Sequence, residues 1–142
     1  MVFYAVLDTN VLVSAFLKYE SVPGQILIEA LCGRIKPLLC EEIICEYKGV
    51  LGRDKFRFDQ NDVDVVLAKL ISRAIAPGKA DITEDMPDPK DAVFYQVTIA
   101  GRQSKEAYLV TGNLKHFPVR SFVVSPREML DLLEQASDGR AF

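Results

Sequence analysis

Residues 3–7, Phe-Tyr-Ala-Val-Leu, form an unbroken apolar run that ends on Asp8. The run shows no alternation, so it reads as a strand buried on both faces, the kind found in parallel sheets. Thr9 and Asn10 follow, then a second apolar stretch over 11–17. Thr and Asn favour helix N-caps. The expected local structure is strand, sharp turn, helix, with Asp8 at the carboxyl end of the strand. Ligands of open α/β sheets bind beyond those ends, which makes Asp8 the first candidate for chemistry.

The rest of the chain alternates in the same way. Helices are expected over 11–18, 25–32, 41–51 and 62–74, with Gly33 closing the second and Pro77-Gly78 breaking the fourth. A further helix opens at Asp88-Pro89-Lys90-Asp91, runs to about residue 100 and stops at Gly101. Short apolar runs at 36–40, 107–110 and 122–124 read as strands. Ser125-Pro126-Arg127-Glu128 is a capping box with proline at the first helical position, and it starts a last helix to about residue 135. The pattern predicts a three-layer α/β/α sandwich with a mainly parallel central sheet. Residues 1–136 are expected to form one domain and 137–142 a frayed tail.

The chain has 142 residues, enough for one domain with a real core. Its net charge is −3, from 20 acidic and 17 basic residues. That argues against a basic nucleic-acid coat protein and leaves room for a nuclease whose metal-binding carboxylates lower the charge. No apolar run approaches the ~18 residues of a membrane span. No basic segment precedes the first apolar run, which reads against a signal peptide. Cys32, Cys40 and Cys45 lack metal-ligand spacing and are expected to be buried, reduced thiols. A cytoplasmic protein is the consistent expectation.

Two strands end alike, in Asp8-Thr9-Asn10 and Thr111-Gly112-Asn113. As parallel neighbours they would project Asp8 and Asn113 from one sheet edge, with Gly112 letting the backbone turn closely. Each motif taken singly also fits a plain cap or turn. On the 41–51 helix, Ile43, Tyr47, Val50 and Leu51 define the inward stripe. Glu46 borders that stripe, where a carboxylate needs a partner; a solvated edge residue is the plainer reading. Asp88 fits an N-cap. Asp91 sits in the first turn, where a dipole role and an inward role both remain open. Three carboxylates brought together would need a divalent cation, and hard oxygen donors favour Mg²⁺ or Mn²⁺.

These pieces, with Glu42-Ile43-Ile44-Cys45-Glu46-Tyr47 and the capping box at Ser125, resemble a PIN domain, in particular the toxin components of prokaryotic toxin–antitoxin systems. The resemblance covers nearly the whole chain. It implies a metal-dependent endoribonuclease in which Asp8, Glu46 and Asp91 hold Mg²⁺ or Mn²⁺. Thr9 and Asn10 would orient Asp8, and Thr111 would bond to substrate or a metal-bound water. It also implies a cognate antitoxin and a homodimer. Many relatives carry a fourth aspartate where this chain has Asn113, whose amide offers only a neutral carbonyl to a metal. Lys115, His116 and Arg120 follow that edge and are candidates to contact phosphate. Arg53, Lys55 and Arg57, interleaved with Phe56 and Phe58, offer charge and stacking, although a solvated face is the plainer reading. Two alternatives stay open: a degenerate module that binds RNA or a partner without cutting, and a small phosphatase using Asp8 as nucleophile.

Overall fold

A computed structural model describes residues 1–139. In it Phe3–Leu7 forms β1, an interior strand of a four-stranded sheet. The other strands are β2 (Ile35–Pro37), β3 (Ala107–Val110) and β4 (Val123–Val124). Their order is β2-β1-β3-β4 and every pairing is parallel. Chain order reverses across β1, so the sheet's switch point falls between β1 and β3, where crevices form in such sheets.

Among the described residues, six α-helices surround the sheet: α1 (Thr9–Leu17), α2 (Val22–Cys32), α3 (Glu41–Leu51), α4 (Gln60–Arg73), α5 (Ala92–Arg102) and α6 (Pro126–Gly139). α5 packs on β1 and β3 and touches α3, while α2 packs on β2 and α6. The helices flank the sheet as expected. Ala5, Val6, Leu7, Leu109 and Val110 are buried at its centre. No single helix among the described residues is long and apolar enough to cross a membrane.

Several boundaries differ from expectation for identifiable reasons. α2 begins at Val22 because Ser21 caps it, accepting the Gly24 N–H at 3.2 Å. α4 begins at Gln60 because the Asp59 carboxylate accepts the N–H groups of Asn61 and Asp62. Gly101 does not end its helix. It lies inside α5, where an added Cβ would come within 2.5 Å of Leu38 Cδ1, so it is there for close packing. α6 passes its expected end and continues to Gly139; of the tail expected at 137–142, residues 140–142 lie outside the described residues. Its capping box is formed, with Ser125 Oγ accepting the Glu128 N–H and Glu128 Oε1 accepting the Ser125 N–H. The cysteines are free, but Cys32 and Cys45 are exposed rather than buried.

Candidate active site

β1 and β3 pair with Leu7 opposite Val110, so the residues just beyond them, Asp8 and Thr111, meet. Thr111 is fully buried, and its hydroxyl donates to Asp8 Oδ2 at 2.8 Å. The same oxygen of Thr111 accepts the Asn113 N–H at 3.0 Å. Thr111 therefore holds Asp8 in place and fixes the start of the following loop.

Asp8 itself takes the N-cap position of α1 by backbone: its carbonyl accepts the Val11 N–H, but its side chain makes no cap bond. The carboxylate is left free for other work. Thr9 and Asn10, which the sequence suggested as caps, lie inside the helix and use their side chains elsewhere. Thr9 donates to Glu46 Oε2 at 2.5 Å. Asn10 donates through Nδ2 to Asp8 Oδ2 at 3.2 Å and accepts the Gly112 N–H at 2.9 Å. Asn10 thus ties the end of β1 to the loop after β3. A Cβ on Gly112 would stand 3.3 Å from Asn10 Oδ1, which is the close approach a glycine permits.

Glu46 enters from α3, half-buried beside the inward stripe of Ile43, Tyr47 and Leu51. Its neighbour Tyr47 is buried and donates its hydroxyl to the Leu7 carbonyl at 2.5 Å. That bond braces the strand end that carries Asp8. Tyr47 was not among the expected site residues, because a tyrosine in an apolar stripe reads as core. The available signal was that a buried tyrosine hydroxyl needs a partner.

Asp91 closes a 3-10 turn, Pro89–Asp91, at the head of α5. The division of labour between the two aspartates is clear. Asp88 Oδ1 caps the turn through the Lys90 N–H, whereas Asp91 makes no side-chain cap bond. Its side chain is only 17% exposed, and Oδ2 is buried. His116 Nδ1 stands 3.2 Å from Asp91 Oδ2, and its Nε2 lies 2.9 Å from Asn113 Nδ2. The Asn113 amide thus meets His116. Lys115 is exposed, and Arg120 pairs with Glu84 at 3.3 Å. Glu84 also accepts from the Tyr95 hydroxyl.

The electrostatics join the acids into one group. Burial, first, pushes the Asp8 carboxyl from 3.8 up to about 6; the charges of Asp91 and Glu46 push the same way, against the bond from Thr111. Burial also raises Asp91, helped by Asp88 and Glu46 and opposed by His116. Among the described residues, no group of three or more His, Cys, Asp or Glu side chains is arranged to hold a metal ion. The donor chemistry nevertheless fits a hard divalent cation. The oxygens are carboxylate, and the charges of Asp91 and Glu46 oppose that of Asp8.

Fold and site together define a parallel α/β protein with an acidic cluster beyond its central strands. The chain belongs to the PIN domain family, whose sequence profile matches residues 4–115. PIN domains are generally nucleases acting on RNA, typically as hydrolases that depend on a divalent metal. Neither the curated proteins nor the solved structures contain a significant match.

Proposed function

We propose that this chain is a metal-dependent endoribonuclease that hydrolyses RNA phosphodiester bonds. The carrying observation is that Asp8, bonded by Thr111 and Asn10, and Glu46, bonded by Thr9, stand near Asp91, whose charge pushes the Asp8 carboxyl up. In this reading the three acids hold Mg²⁺ or Mn²⁺. When bound, such an ion neutralises phosphate charge and lowers the pKa of water at the scissile bond.

The chain's own residues set the geometry. Thr111 and Asn10 hold Asp8, Thr9 holds Glu46, and Tyr47 braces the β1 end. Lys115 is the exposed cation beside this edge that is suited to a substrate phosphate. His116 acts on Asp91 and Asn113, and Arg120 acts through Glu84, before either reaches RNA. No nucleophilic side chain is required. We place the protein in the cytoplasm as the toxin of a toxin–antitoxin pair, acting as a homodimer.

A second reading, a module that binds RNA without cutting it, is favoured by Asn113, which brings no charge to the fourth corner. Incubation with single-stranded RNA and Mg²⁺ or Mn²⁺ separates the two. Cleavage that is lost in Asp8→Asn and Asp91→Asn supports the nuclease. Cleavage that survives both, or that proceeds in EDTA, refutes it. Binding without cleavage at millimolar metal supports the second reading.

A further inference from the structure

Seven residues beyond Thr9 on α1 is Phe16, while α3 ends at Leu51 and Arg53 follows its C-cap, Gly52. Thr9 and Glu46 touch, and α1 packs against α3. At about 1.5 Å per residue, seven residues are two turns on the same helix face, roughly 10 Å. Along α1 the seam with α3 therefore leads from the acidic site to Phe16 and the rings around it.

Four aromatic rings stand there in series. Tyr19 lies 5.8 Å from Phe16, Phe16 lies 5.4 Å from Phe58, and Phe58 lies 5.2 Å from Phe56. The last pair is stacked, with only 6° between planes. Tyr19 is 43% exposed, and the phenylalanines are half-buried. Arg53, Lys55 and Arg57 surround the outer pair, and Lys55 Nζ sits 5.1 Å over the Phe56 ring. All three cations are exposed, and none forms an ion pair among the described residues. Asp54 lies among them, while Asp59 is engaged at the α4 cap. Arg57 has φ of 55°, the one non-glycine residue with positive φ among the described residues. Strain of that kind persists where the surrounding structure holds it and often marks function.

We propose that this aromatic ladder and its three cations form a subsite for single-stranded RNA, holding nucleotides that flank the bond placed at the acids. It rests on the ribonuclease reading. Aromatic faces bind bases of any sequence, and unpaired cations bind phosphates. A second copy of the chain fits less well, because a two-fold contact would set the same three cations against each other. Lys55, on a flexible stem, leaves the ring for a phosphate when a base takes its place.

The test measures anisotropy of a short fluorescein-labelled single-stranded RNA, using Asp8→Asn in Mg²⁺ to prevent cleavage. Adding Phe56→Leu removes the ring face and keeps apolar bulk; it should weaken binding roughly fivefold to a hundredfold. Adding Lys55→Gln with Arg57→Gln, at exposed positions that leave the fold intact, should lower the salt dependence of log Kd by roughly 1.4. Blunt duplex RNA, whose bases are stacked away, should be insensitive to Phe56→Leu. If the Asp8→Asn parent binds RNA and both sets of changes leave affinity and salt slope unaltered, the subsite is wrong while the RNA reading stands. If the parent binds no RNA, both fail. Self-association abolished by Phe56→Leu overturns the subsite in favour of a contact between copies.

Discussion

Asp8→Asn should stabilise the metal-free protein, and by an amount that depends on pH. Asp8 is 6% exposed, and its carboxyl is held at about 6 instead of 3.8. Because the folded value lies above the unfolded one, the associated stability is fully present below pH 3.8. It is lost as pH rises through about 6. At about 1.4 kcal/mol for each tenfold ratio, the loss reaches about 3 kcal/mol by pH 8. Asparagine resembles the protonated acid: its carbonyl can still accept the Thr111 hydroxyl, and it carries no charge toward Asp91 or Glu46. Urea unfolding in EDTA should therefore give equal stabilities for the two proteins near pH 4. Near pH 8 the variant should be ahead by about 3 kcal/mol, a Tm gain of roughly 10 °C. A difference that does not change with pH would refute the reasoning, as would a variant less stable at pH 8 than the parent.

Three further predictions concern the scaffold. Tyr47→Phe leaves the buried Leu7 carbonyl without its hydroxyl donor and should cost about 1–3 kcal/mol in urea unfolding. It should also lower the cleavage rate, because the β1 end loses its brace. Thr111→Val removes a bond that holds the Asp8 carboxyl down, so the Asp8 titration followed by carboxyl NMR should move upward from about 6. Gly101→Ala gains about 1 kcal/mol of helix propensity. Its Cβ nevertheless meets Leu38 Cδ1 at 2.5 Å and Ala107 Cβ at 3.3 Å. Net destabilisation of about 1 kcal/mol is expected from thermal melts.

The parts of this molecule that were legible in its sequence are those governed by neighbours along the chain. The unbroken 3–7 run declared an interior parallel strand, because a strand buried on both faces has no polar side to alternate with. The Ser125 and Asp88 caps were readable because a cap needs only the next two or three residues. Glu46 could be placed at the edge of the α3 stripe from helical spacing alone. What stayed hidden depends on contacts distant in sequence. Thr9 looks like a cap until Glu46, 37 residues away, takes its hydroxyl. Gly101 looks like a stop until Leu38 packs against it. Arg120 looks like a phosphate ligand until Glu84 pairs with it. Phe56 and Phe58 look like ordinary loop aromatics until Phe16 of α1 extends their stack.

The claim that Asp8, Glu46 and Asp91 form one metal site is tested most directly by soaking crystals in Mn²⁺ and locating the ion by its anomalous scattering. The account predicts a peak bounded by carboxylate oxygens of all three residues, one of them the buried Asp91 Oδ2. Ordered crystals with no peak there at millimolar Mn²⁺, or with the ion held elsewhere and these acids apart, would contradict it.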